Sequence, residues 1–378
     1  MTCRFSVKNY VKPIFPLVCR FLSLFLVFMQ IFTVNNFLAA DEEKWGTLED
    51  GEVHVFYCSH QDIGWEDSYY NCRQKRNDLI IKPVLDWISL DSNYKYCVEY
   101  SRILMDFLDL NHTYKPTVIA HTKTGNIEWG ATYNCGYESL FSSEALVRQT
   151  YLGRKWIKNY LGDGCDTHCA WNVDAPVRAL QAPQIYKKAG IKYMMASRYK
   201  KGFFKWSSPN AHEGTDDYSM LVFSDGKYDY PWVYFPRTET GDTFSNGLFV
   251  PYGYFKKQPN ETGSTRDPVP GDIDYIPEYI NDYWKDVDTY NGTWYAWNDY
   301  YSGKNLSDIM LVMYMTDMGI PRQFMGSLEV QGESYLLSEY DASMTGGDPS
   351  LILSTAGQAM AAVETAANNQ GVGTTFYD

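Results

Sequence analysis

Residues 53–100 read VHVFYCSH QDIGWEDSYY NCRQKRNDLI IKPVLDWISL DSNYKYCVEY, and this stretch decides the fold class. Val53-His-Val-Phe-Tyr57 is a short run of β-branched and aromatic residues, the composition of a buried strand. Apolar residues then recur at Leu79, Ile80, Val84, Leu85 and Ile88 and keep one face of a helix, after which Tyr96-Cys-Val-Glu-Tyr100 returns to strand. A strand, a helix and a strand in succession form a βα unit, and such units build a parallel sheet or barrel.

The pattern continues outward from there. A helix is expected around Ile103 to Leu110 and a strand over Ile127-Glu-Trp-Gly-Ala131. Behind the N-caps Ser142 and Ser143, the residues Leu146, Tyr151, Leu152, Trp156 and Tyr160 hold one helical face. Ala170-Trp-Asn-Val-Asp174 is the next strand, Leu180 to Ala189 a helix closed by Gly190, and Ile191-Lys-Tyr-Met-Met195 another strand. Between about 200 and 300 the pattern breaks into Gly-, Pro-, Asn- and Tyr-rich stretches, with one helix, Ile276 to Tyr290, and one strand near Met220-Leu-Val-Phe223. These are read as long loops above a barrel, where barrel enzymes place substrate contacts. Ile309-Met-Leu-Val-Met-Tyr-Met315 restores the strand pattern and ends at Thr316-Asp317. Beyond Gly326 an Ala-rich helix is expected, with Leu351, Ile352, Ala356, Met360, Ala361 and Val363. The expected division is thus a signal over residues 1–40, a β/α barrel over 41–325 and the start of a helical domain over 326–378.

The signal is read from Arg4, Lys8, Lys12 and Arg20, the apolar run from Phe21 to Met29, and small residues at Ala39-Ala40. A single membrane anchor is the alternative, and both readings place the rest of the chain in a secreted, periplasmic or secretory-lumen setting, with no stable membrane insertion expected of the barrel itself. Loss of those four basic residues and no acid from 33 basic and 46 acidic residues takes the net charge from −13 to about −17. Such a surface repels phosphate backbones and excludes nucleic acid as a partner, while neutral sugars remain compatible. With 32 Tyr and 11 Trp, the chain is rich in the ring faces on which sugars stack. Cys58, Cys72, Cys97, Cys135, Cys165 and Cys169 stay after the signal, an even set that permits up to three disulfides in an oxidising compartment. For Cys165/Cys169 with His168 between them, a surface-loop disulfide is preferred over a metal site, which lacks a second Cys/His pair. Asn111, Asn260, Asn291 and Asn305 are glycosylation acceptors if the host is eukaryotic.

Chemistry-bearing residues gather at strand ends. His60-Gln-Asp62 follows the first strand, and imidazole and carboxylate two residues apart make a compact ligand pair for a metal such as zinc. Taken alone, the pair reads better as a solvated His and a capping Asp, and a third candidate is what favours the metal reading. Asp174 closes its strand, where an isolated Asp is also a common helix N-cap. Arg198 closes the next strand and would keep Asp174 ionised, as a nucleophile or metal ligand requires. Asp317 ends the late strand in the same fashion, or is only a turn residue before Gly319. Asp174 and Asp317 fit in kind the two carboxyl groups that glycosidases need.

The ordered set Cys58-Ser-His-Gln-Asp-Ile-Gly-Trp65, Lys95-Tyr-Cys-Val-Glu-Tyr100, Gly125-Asn-Ile-Glu-Trp-Gly-Ala-Thr-Tyr-Asn134, Ser143-Glu-Ala-Leu-Val-Arg-Gln149, Trp171-Asn-Val-Asp174 and Ala189-Gly-Ile-Lys-Tyr193 resembles the catalytic domain of the family 38 α-mannosidases. The resemblance implies a seven-stranded β/α barrel holding Zn2+, with His60, Asp62 and Asp174 as ligands. It implies that Asp174 is also the nucleophile of a retaining α-mannosidase, with Asp317 as acid/base. Trp65 matches an aromatic that packs on the bound sugar, and Arg198 a basic residue that orients the nucleophile. The substrate implied is a mannose-containing glycan or polysaccharide. Two departures stand out. The family commonly continues its nucleophile as Asp-Pro-Phe-Gly, whereas this chain reads Asp174-Ala-Pro-Val177. The family's fourth ligand is a His after the barrel, and no His follows His212, so either three protein ligands and water hold the ion or the chain is cut short; the second is expected. A polysaccharide deacetylase, which would want a His general acid, and a carbohydrate-binding relic without activity are the competing readings.

Overall fold

The computed structural model describes residues 50–65, 67–175, 178–197, 202–209, 218–224, 309–315, 337–338 and 349–369. The first strand, β1 (Glu52–Ser59), is buried from Val53 onward, as its mostly apolar run requires. Helix α1 (Tyr69–Lys75) begins where the Ser68 hydroxyl accepts from Asn71 N–H. It runs through a π-helical turn (Arg76–Ile81) into α2 (Lys82–Leu90). The π turn buries Arg76 and Asn77 as well as Ile80 and Ile81, so two polar residues enter the interior beside the apolar face. Next come β2 (Tyr96–Val98), α3 (Ser101–Leu110), α4 (Lys115–Lys123) and β3 (Ile127–Trp129). Helix α5 (Ser143–Leu161) starts with the Ser142 hydroxyl accepting from Ala145 N–H and stops at Gly162, whose φ of 92° suits a residue without Cβ. The series ends with β4 (Cys169–Asn172), α6 (Ala182–Lys188), β5 (Tyr193–Ala196), β6 (Gly202–Ser207), β7 (Ser219–Ser224), β8 (Ile309–Tyr314), β9 (Ser350–Leu353) and α7 (Ala356–Asn369).

The strands form two sheets. One runs β3-β2-β1-β8 with β9 also on β1, all parallel. The other runs β4-β5-β7-β6, parallel except for β6. Ala131 N–H donates to Cys169 C=O at 2.8 Å, which joins the β3 edge of the first sheet to β4 of the second. Phe56 of β1 meets Trp171 of β4 and Phe223 of β7 edge-on, at centroid distances of 6.3 and 6.2 Å. Each such pair adds about 0.5–1.5 kcal/mol beyond the area it buries, so one ring ties the sheets across a shared interior.

Three expectations change. A closed seven-stranded barrel is not formed by the described strands: β7 gives one edge to β5 and the other, over all six residues, to antiparallel β6, so it has no edge left for β8. Leu351 and Ile352 lie in strand β9, paired in register with Val53 and His54, rather than in a helix. The disulfides are absent: all six cysteines among the described residues are free thiols. Cys58 and Cys97 sit opposite one another on parallel strands, and the Cys165 thiol faces the carbonyls of Ile119 and Leu161 rather than Cys169.

Helix α7 begins against the first sheet. Ala356 N–H meets the Cys97 thiol at 3.1 Å, and Gly357 N–H donates to the half-buried Glu128 carboxylate at 2.7 Å, so an acid of β3 caps a helix more than two hundred residues away. Glycine leaves room for this approach, because a Cβ at position 357 would stand 2.7 Å from Glu128 Oε1 and the carboxylate would have to shift. The signal segment and the expected 276–290 helix lie outside the described residues, as do Arg198 and Asp317.

Candidate active site

Strand β1 delivers His60 past its C-terminal end, and β4 does the same for Asp174, two residues beyond Asn172. Both strands stop before these residues, so the side chains project from the sheet ends where α/β folds place their sites. His60 is buried, with 2% of its side chain exposed, while Asp62 and Asp174 are 28% and 34% exposed. The imidazole Nε2 lies 3.7 Å from Asp62 Oδ1 and 3.7 Å from Asp174 Oδ2. The structure thus brings together the three residues singled out as ligands. Trp65 lies three residues beyond Asp62 in the same connection and exposes 86% of its surface, an open ring face.

On its other side the imidazole is held by a residue whose role the sequence reading missed. Glu99 follows β2 and is wholly buried. Its carboxylate accepts from His60 Nδ1 at 3.0 and 3.1 Å, from Gln61 N–H at 2.8 Å and from the Tyr100 hydroxyl at 3.1 Å. This fixes the orientation of the ring and turns Nε2 toward the two aspartates. The available signal was an acid just beyond a buried strand, the same signal that drew attention to Asp174. Burial disfavours a charged imidazole, yet the carboxylates of Glu99, Asp174 and Asp62 outweigh it and hold the His60 pKa well above its ordinary value. Three carboxylates around one ring call for a positive charge, which a proton or a cation can supply. Among the described residues, no group of three or more His, Cys, Asp or Glu side chains is gathered around one point as a ready metal site. What the structure shows is two pairwise approaches to one nitrogen.

The connection carrying Asp62 is secured from the π turn. The buried Arg76 guanidinium donates to the carbonyls of Asp62 at 2.6 Å and Ile63 at 3.3 Å, and lies 3.4 Å from Asp106 Oδ2. Asp106 Oδ1 in turn accepts from the Tyr69 hydroxyl at 2.7 Å and Arg102 Nε at 2.9 Å. An imidazole backed by one acid and facing two more, at the C-terminal ends of parallel strands, defines an α/β domain with an acid-lined site of the hydrolase type.

The family follows from comparison. Residues 50–313 match the profile described as the glycosyl hydrolases family 38 N-terminal domain, and the chain belongs to that family. Among solved structures, an alpha-mannosidase from Enterococcus faecalis V583 is 16% identical, with a TM-score of 0.56 over 83% of this chain and 29% of that one. A second protein in the glycosyl hydrolase family 38, also from Enterococcus faecalis, is 15% identical, with a TM-score of 0.51 over 84% of this chain and 28% of that one. At these identities the likeness shows the fold, and the chain spans less than a third of the length of either protein. A comparison with curated proteins gives no match.

Proposed function

We propose that the chain is the catalytic part of a zinc-dependent, retaining α-mannosidase that removes terminal α-mannosyl residues from glycans or polysaccharides. The observation that carries the reading is the placement of His60 Nε2 at 3.7 Å from both Asp62 and Asp174, with Nδ1 committed to Glu99. Ligands bonded at about 2.1 Å to a tetrahedral zinc lie roughly 3.4 Å from one another, so modest contraction of these pairs suits the ion. The donor set fits as well: a neutral imidazole backed by a carboxylate, and two anionic oxygens. His60, Asp62 and Asp174 would hold zinc, which supplies a Lewis acid for vicinal sugar hydroxyls.

The protein groups supply the remaining chemistry. An ionised Asp174 attacks the anomeric carbon as the glycosidic bond breaks, and the leaving oxygen takes a proton from the general acid, the role proposed for Asp317. Water then gives a proton to that same carboxylate and attacks the anomeric carbon, which releases Asp174 and retains configuration. Arg198 is proposed to orient Asp174, and Trp65 offers its exposed ring to the sugar face. The basic and apolar N-terminal segment proposes export; among the described residues no helix is long and apolar enough to cross a membrane.

Zinc content of the purified protein, measured together with aryl α-mannoside hydrolysis before and after chelation, tests the reading. One zinc per chain, chelator-sensitive release and loss of release in Asp174→Asn are expected. A folded protein that binds no zinc and releases nothing from the aryl mannoside would overturn it.

A further inference from the structure

Asp174 sits in a short connection between Asn172, the last residue of β4, and Ala182, the first of α6. A connection of this kind has no regular ladder for its backbone groups, so its shape depends on which polar groups it can reach. Here they come from two side chains. The Arg178 guanidinium turns back along its own segment and donates through one nitrogen to the carbonyl of Asn172 and through the other to the carbonyl of Ala175. Those carbonyls bracket Asp174. A planar guanidinium can bond two acceptors at once in a fixed fork, which a lysine ammonium cannot reproduce.

The second side chain is Glu138, from the segment between β3 and α5, and it is almost wholly buried. It accepts from Asn172 Nδ2 at 3.0 Å and from Ala179 N–H at 3.2 Å, so both ends of the Asp174 segment rest on one carboxylate. The Tyr186 hydroxyl of α6 adds a third bond at 2.6 Å and pins Glu138 to the helix that follows. Asn172 is held further by the Cys135 thiol, which donates to its Oδ1 at 3.3 Å.

We propose that Arg178, working with the buried Glu138, is a positioning residue for the reaction: it holds the backbone on both sides of Asp174 so that the carboxylate stays directed at His60. The inference rests on the reading of Asp174 as the nucleophile, on which Arg178 and Glu138 act through the backbone. Loss of the brace lets the backbone that carries the carboxylate shift by about an ångström, which lowers turnover about 10- to 100-fold without altering how the sugar is first bound.

The test uses the full-length protein and the variants Arg178→Ala, Arg178→Lys and Glu138→Gln, with two readouts. Hydrogen–deuterium exchange of the peptide covering 172–179 reports the brace whether or not the protein turns over. Steady-state hydrolysis of an aryl α-mannoside separates kcat from KM. Arg178→Ala is expected to exchange faster in that peptide alone, with Tm close to the parent's, KM within about twofold and kcat down about 10- to 100-fold. Millimolar guanidinium should restore part of that kcat, and Arg178→Lys should fall between Arg178→Ala and the parent. Unchanged exchange in the 172–179 peptide of Arg178→Ala overturns the proposal, as does a kcat equal to the parent's. A uniform rise in exchange with a matching drop in Tm assigns Arg178 a purely structural role and overturns it too. A parent protein without hydrolysis defeats the mannosidase reading instead, and the exchange measurement then decides the brace by itself.

Discussion

Replacing Glu99 by Gln tests whether the buried acid sets the orientation of His60. The carboxylate receives three donors, His60 Nδ1, Gln61 N–H and the Tyr100 hydroxyl, at 2.8–3.1 Å, and it is wholly buried. Glutamine has the same shape but only one acceptor oxygen, so at least one donor must face an NH2 group. Hydrogen bonds to a charged group contribute about 1.5–3 kcal/mol each, so a loss of about 2 kcal/mol is expected. For a chain of this size that corresponds to a fall in Tm of roughly 2–3 °C. With the imidazole no longer fixed, zinc affinity should fall about 10- to 100-fold, or about 1.4–2.8 kcal/mol. Thermal unfolding without zinc, followed by calorimetric zinc titration, separates the two effects. A Glu99→Gln protein with the parent's Tm and the parent's zinc affinity would refute the claim that Glu99 orients His60.

Three further outcomes follow from the packing. In Gly130→Ala the new Cβ would stand 1.6 Å from the Glu99 carbonyl oxygen and 2.3 Å from its carbon, so the backbone behind the site must move; a loss above about 3 kcal/mol, read from the denaturant midpoint, is expected. Arg76→Met strands the carbonyls of Asp62 and Ile63 but leaves Asp106 its bonds to Tyr69 and Arg102, so about 2–4 kcal/mol should be lost; a stability within 1 kcal/mol of the parent, on the same scale, tells against the anchor. Burial raises the Glu128 pKa above its ordinary value, although Gly357 N–H and Thr355 oppose the shift. A carboxyl raised in the folded state contributes stability below its unfolded pKa and loses it as pH rises through the folded one, so Glu128→Gln should flatten a decline in stability that starts just above the ordinary carboxyl range. Urea titrations at stepped pH, with parent and variant superimposable, would count against Glu128 as its source.

Much of the site was legible because strand ends mark themselves. His60, Asp62 and Asp174 are polar residues placed directly after apolar runs, and the period of those runs already implied that they emerge on one face of a parallel sheet. Glu99 stood in plain view at the end of another such run, but its partner could not be read, because the pairing of Ser59 with Val98 that sets it beside His60 is a property of the sheet. Arg178 and Glu138 carried less signal still. One lies four residues beyond Asp174 and the other some forty before it, and each acquires a role only through the course of the backbone around Asn172. Leu351 and Ile352 were misread for a related reason: three apolar residues do not distinguish strand from helix, and the free edge of β1 settled the matter.

By itself, the sequence determined the alternation of strands and helices and the end of the sheet where the chemistry gathers, because hydrophobic period and local capping act over a few residues. Only the tertiary structure decided which strands are neighbours, that β6 takes the edge of β7 that a closed barrel would need, that the cysteines remain free, and which buried acids stand behind His60 and Asp174. These depend on register and on contacts between residues far apart in the chain, where many pairings satisfy the same local pattern and packing selects one.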